Sequence, residues 1–192
     1  MSILRESTVL RRFTLTVVSG FVAASLCLSV AATAEAKTCN RGIASNTSCT
    51  ISAIGTVAYT PPGGTKANLT DQFSSHVWWT TTFWSVSVSA TGSAKSAWLG
   101  SKPYNATKMS LTNQVSTSGI AISASVGSGG AGISLSSSGN TVKMTSSASN
   151  TWQLNQTYSG VKFTTVFGIT SASEQATGTY TFGSSSYFHT VS

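Results

Sequence analysis

The chain has 192 residues and few charges: 11 basic and 4 acidic side chains, a formal net charge of +7, and two histidines. So thin a supply of carboxylates and imidazoles argues against calcium sites, multi-ligand metal centres and most acid–base catalysis. Five tryptophans and a hydrophobic content of 40% argue equally against disorder.

The first 36 residues carry an export pattern. Arg5, Arg11 and Arg12 precede an uncharged stretch from Phe13 to Val30, and Ala34-Glu35-Ala36 forms an A-x-A cleavage signature. Cleavage after Ala36 is therefore expected, with secretion to the extracellular side. Thr14, Thr16, Ser19, Gly20, Ser25 and Ser29 interrupt the run and weaken it as a retained membrane anchor. Arg11-Arg12 raises the twin-arginine route, but the polar Thr14 that follows fits Sec-type export better.

Processing would leave residues 37–192, with eight basic and two acidic side chains and a net charge of +6. Cys27 departs with the leader. The remaining Cys39 and Cys49 are expected to form a disulfide in an oxidising compartment. Three segments follow: a signal peptide over 1–36, an N-terminal segment with the disulfide over 37–50, and a β domain over 51–192.

Beyond residue 50 the periodicity is two. Ile51, Ala53, Val57 and Tyr59 alternate with small or polar residues, as do Trp84, Val86, Val88 and Ala90 with Ser85, Ser87 and Ser89. The pattern recurs at Met109 and Leu111, Ile120 to Val126, Ile133 and Leu135, Val142 and Met144, Val161 to Ile169, and Tyr180 and Phe182. Such alternation marks half-buried antiparallel strands. Turn residues separate the runs at Pro61-Pro62-Gly63-Gly64, Thr91-Gly92, Gly127 to Gly132, Gly139-Asn140 and Gly183. The expected fold is all-β, a single antiparallel β-sandwich of about eight to ten short strands.

Motifs for chemistry are sparse. Gly127 to Gly132 matches G-x-G-x-x-G formally, but a strand-like run follows it where a dinucleotide site needs a helix. There is no G-x-S-x-G nucleophile elbow. Asp71 and Glu174 are the only carboxylates after residue 36 and would have to meet to form a glycosidase pair. Asn68 to Asp71 reads instead as turn material, with both acids at the surface. His76 and His189, 113 positions apart, suggest unrelated residues and no metal ligands; a ribonuclease using both is an alternative. No cofactor or metal is expected.

The aromatic run His76-Val77-Trp78-Trp79, followed by Phe83-Trp84, is the densest candidate for binding. Adjacent strand residues face opposite ways. If Trp84 shares the core face of Val86 and Val88 without a bulge, Trp78 points inward and Trp79 outward. Trp79, with Trp78 and Trp98, is thus a candidate for stacking on a sugar or resting at a lipid interface, against the alternative that Trp79 packs under a loop or that a bulge resets the register. The basic residues are scattered singly, which suits weak attraction to cell-wall polymers or an anionic membrane and does not suggest nucleic-acid binding. The nearly uncharged 119–147 segment reads as a Ser/Gly-rich hairpin, of the sort that pore-forming proteins insert.

The function expected is therefore non-enzymatic binding of an extracellular or envelope partner, whether glycan, anionic polymer or protein. A membrane-active, toxin-like protein using 119–147 and a small secreted hydrolase or ribonuclease are the alternatives. N-terminal sequencing of the exported product should begin at Lys37; a start far from it would undo the charge and cysteine arithmetic.

Overall fold

The computed structural model describes residues 37–41, 47–60, 67–99, 104–119, 123–130, 132–166 and 168–192. The expected signal peptide and its cleavage site lie outside the described residues. Among the described residues every regular element is a strand: β1 (Lys37–Asn40), β2 (Ser48–Tyr59), β3 (Ala67–Thr81), β4 (Val86–Leu99), β5 (Ala106–Thr117), β6 (Ser123–Ser125), β7 (Ser128–Gly129), β8 (Ile133–Ser138), β9 (Thr141–Thr151), β10 (Gln153–Thr165), β11 (Ser171–Phe182) and β12 (Ser185–Val191). They form two antiparallel six-stranded sheets packed into a sandwich. One sheet runs β1-β11-β5-β9-β8, with β12 also on β11; the other runs β2-β3-β4-β10-β6, with β7 also on β10. The strands are longer and more numerous than the eight to ten short ones expected.

Alternation sorts side chains between core and water. In β3 the odd positions Leu69, Phe73, Val77 and Trp79 are buried, and in β4 the even positions Val88, Ala90, Ala94 and Trp98. β10 begins with Gln156 and Tyr158 inside. A bulge between Tyr158 and Val161, with Gly160 at φ 68°, resets the parity so that Val161 and Phe163 are inside. The outward positions are largely Ser and Thr, several joined across strands: Thr112 to Thr145 at 3.2 Å, Thr177 to Thr190 at 2.9 Å.

Two features clamp the sheets together. Cys39 on β1 and Cys49 on β2 form a disulfide across the open edge, with Cα atoms 6.4 Å apart. Closing so short a loop contributes about 2–3 kcal/mol in the chain-entropy description. At the far end a second core gathers Leu69, Trp98, Met109, Tyr180 and Phe182, with Tyr59 and Tyr187 packed on it.

The 119–147 segment is not one hairpin. β6 and β7 hydrogen-bond to β10 in one sheet, whereas β8 and β9 belong to the other. The glycine-rich run therefore carries the chain between sheets, and the hairpin turn is at Gly139-Asn140.

Gly178 on β11 has a packing reason. A Cβ there would overlap Asp71 Oδ1 and Ser96 Oγ from the opposite sheet. Gly178→Ala should cost about 1–3 kcal/mol by overpacking. Thr179→Ala, on the outward face next to it, should stay within about 0.5 kcal/mol. Urea denaturation of both variants checks this.

Candidate functional site

Both carboxylates are inside the sandwich. Asp71 is 0% exposed and Glu174 1% exposed, which corrects the expectation of surface or turn residues. Asn68 to Asp71 belongs to β3, where odd parity turns Asp71 inward with Leu69 and Phe73. Glu174 occupies the equivalent inward row of β11, beside Ala172 and Ala176.

A buried charge needs partners. Asp71 finds them on the other sheet. Its Oδ2 lies 2.8 Å from Nδ1 of His189 on β12, and Tyr180 on β11 donates its phenol to Oδ1 at 3.4 Å. The Tyr180 hydroxyl is also 2.6 Å from Ser96 Oγ. Burial, then the Asp71 charge, push the Tyr180 phenol well above its ordinary range, so it stays a donor. The His189 ring is admitted by Gly55, where a Cβ would stand 2.8 Å from its Cε1.

Glu174 sits in a separate network. Asn113 Nδ2 donates to its Oε1 at 2.7 Å and the Tyr158 phenol donates to the same oxygen at 3.0 Å. Burial raises the Glu174 carboxyl above its ordinary range, and the neighbouring Ser75, Asn113 and Tyr158 groups pull it back only in part. Glu174 Oε2 and Asn113 Oδ1 are buried without a hydrogen-bond partner. A protonated carboxyl suits this acceptor-rich spot, because its O–H supplies a donor. Burial and the adjacent carboxyl raise Tyr158 as well.

The two networks do not form one site. Asp71 lies against Gly178, four positions along β11 from Glu174, so the carboxylates are about 13 Å apart at strand rise. Glycosidase pairs are separated by roughly 5–9.5 Å. Of the four titratable candidates, the structure joins Asp71 with His189, leaves Glu174 apart, and puts His76 on the outer face of the β2-β3-β4-β10 sheet. Among the described residues there is no group of three His, Cys, Asp or Glu able to hold a metal.

The register extrapolated from Trp84 is reversed: Trp78 is outward and Trp79 inward, as in the alternative that packs Trp79 inside. Trp79 is 1% exposed and packs in the main core, and Trp98 is buried in the second core. Neither offers a ring face to a ligand. Trp78 is half-buried on the outer face, stacked on His76 with ring centroids 5.6 Å apart. The reason is a reversal of the chain between them. β3 pairs with β4 so that Trp79 faces Val88, and the odd positions of one strand share a side with the even positions of the next. Trp84 does not continue the β4 alternation; it lies at the turn and is 80% exposed, beside Phe83 at 89%.

On the same outer face a shallow cleft of about 380 Å³ is lined by Ser52, Ile54, Gln72, Ser74, Ser93 and Lys95. It runs one residue row short of the His76–Trp78 pair. Among the described residues the exposed cations are Lys37, Lys108, Lys143 and Lys162, with Lys95 and Arg41 half-buried. No family model matches the chain, and no curated protein or solved structure does.

Because the folded state prefers protonated Glu174, its contribution is complete at low pH and lost as pH rises from the ordinary value of 4.5 through the raised one. Glu174→Gln should therefore remove part of the wild-type decline in stability on that rise. Urea midpoints measured across the window check it; parallel pH curves for the two proteins would refute it.

Proposed function

We propose that this protein is a secreted, non-catalytic β-sandwich that binds an anionic extracellular or cell-envelope partner through its outer surface. The observation that carries the reading is the burial of Asp71 and Glu174. They are the only acidic side chains after residue 36, and both are interior. The surface of the processed chain then holds lysine and arginine with no acidic side chain to offset them. Each lysine near an anionic surface contributes about 1 kcal/mol.

The placement of the charges fits a partner with repeating anionic groups. The described lysines stand singly on separate strands and form no cluster to read a base edge or grip one phosphate. Phosphate- or carboxylate-bearing wall polymers and lipid headgroups meet this description. The shallow cleft and the outward hydroxyl rows offer hydrogen bonds of low individual specificity. The interior placement of both carboxylates, each committed to partners in the fold, supports a role without acid–base chemistry.

Retention on dextran sulfate and on neutral dextran tests the reading. Retention on the sulfated polymer at low salt should be lost near about 0.5 M salt, where screening shortens to a few ångströms. Lys95→Glu with Lys162→Glu, both outward on one sheet, should weaken it about tenfold. Equal retention on both matrices, or indifference to salt, would overturn it.

A further inference from the structure

The turn between β3 and β4 exposes two large aromatic side chains at its apex. Turns are ordinarily built from Gly, Asn, Asp, Ser and Pro, and here the two central residues are Phe83 and Trp84. At 89% and 80% exposed they are covered by none of the described elements. Sequence alternation hid this by aligning Trp84 with the core residues of β4.

The apex is closed by hydrogen bonds across its base. Thr82 N–H donates to Ser85 O at 2.9 Å, and Ser85 N–H donates to Thr82 Oγ1 at 3.2 Å. The two rings stand edge to face, with centroids 4.7 Å apart and planes at 85°. A sugar-stacking platform presents an open flat ring; this pair forms a wedge. Val166, 55% exposed, follows Thr165, which pairs with Val86, so it extends the apolar patch one strand over. The turn residues themselves carry no charge. A cation stands at its base: Arg41 Nη2 donates to Thr81 Oγ1 at 2.8 Å.

We propose that the Phe83–Trp84 turn is a membrane anchor that inserts into the interface of an anionic phospholipid bilayer, with Arg41 at headgroup level. This rests on the anionic-partner reading and names the partner as lipid. Trp and Phe at a protruding apex partition into the headgroup–acyl boundary. Apolar insertion and electrostatic attraction then add. The anchor does not span the bilayer, and it uses a different part of the chain from 119–147.

Co-sedimentation with vesicles of phosphatidylcholine and phosphatidylglycerol at roughly 3:1, against phosphatidylcholine alone, is the test. Wild type should pellet with the anionic vesicles, and Phe83→Ser with Trp84→Ser should weaken this about tenfold or more. The same double variant should keep its wild-type retention on dextran sulfate and its urea midpoint, since neither ring supports the core. Brominated lipid should quench wild-type fluorescence, and Trp84→Phe should lose that quenching while still pelleting. Equal pelleting of wild type and the double variant would overturn the anchor and leave the anionic-partner reading intact. Retention on the polymer without any vesicle binding would overturn it in favour of a wall polymer. Failure on every anionic surface would remove both.

Discussion

The interaction on which the sandwich most depends is the contact between Asp71 and His189. A carboxylate with no exposure is tolerated only when hydrogen bonds replace its water. Here the replacement comes from the opposite sheet, through His189 and Tyr180, so the requirement to satisfy one charge also fixes how the sheets face each other. Gly178 leaves room for the carboxylate and Gly55 leaves room for the imidazole. β12 is held against β11 by its ladder and against the other sheet by His189, which brings Val191 into the core. The disulfide performs a parallel task at the β1–β2 edge, by covalent means.

The placement of the two carboxylates has a consequence for the outside. A small protein with so few acids ordinarily displays them, and the mixed charges of its surface then cancel locally. Here the only two acids beyond residue 36 are spent inside, and the exposed charged side chains among the described residues are all basic. Structural use of Asp71 and Glu174 and a cationic surface are therefore two aspects of one arrangement. The exposed Phe83–Trp84 apex adds an apolar element at one end, away from the second aromatic core that buries Trp98.

Much of the fold was legible from period-two alternation. Ile51, Val88, Val161, Phe163 and Tyr180 are core residues because apolar side chains at alternate positions have a single way to leave water in a sandwich. The strand pattern and the Cys39–Cys49 disulfide follow from the same elementary arguments. Facing was less legible. Carrying the parity of Val86 and Val88 back through a two-residue reversal assigned Trp78 and Trp79 to the wrong sides, because a turn of different length changes which positions share a face. The same extrapolation made the Trp84 apex look like core. The inward carboxylates were hidden for another reason: Asn-Leu-Thr-Asp has the composition of a turn, and no local signal shows that a histidine 118 positions away completes its hydrogen bonding. The glycines at 55 and 178, sitting inside alternating strands, were the available hint of a close approach.

A double-mutant cycle on Asp71→Asn and His189→Ala, read by urea denaturation, tests the central contact most directly. The cross-sheet role predicts that the single changes are strongly non-additive, with a coupling of about 2 kcal/mol or more. Effects that simply add would mean that Asp71 does not depend on His189, and the sheets would then have to be held in register by something else.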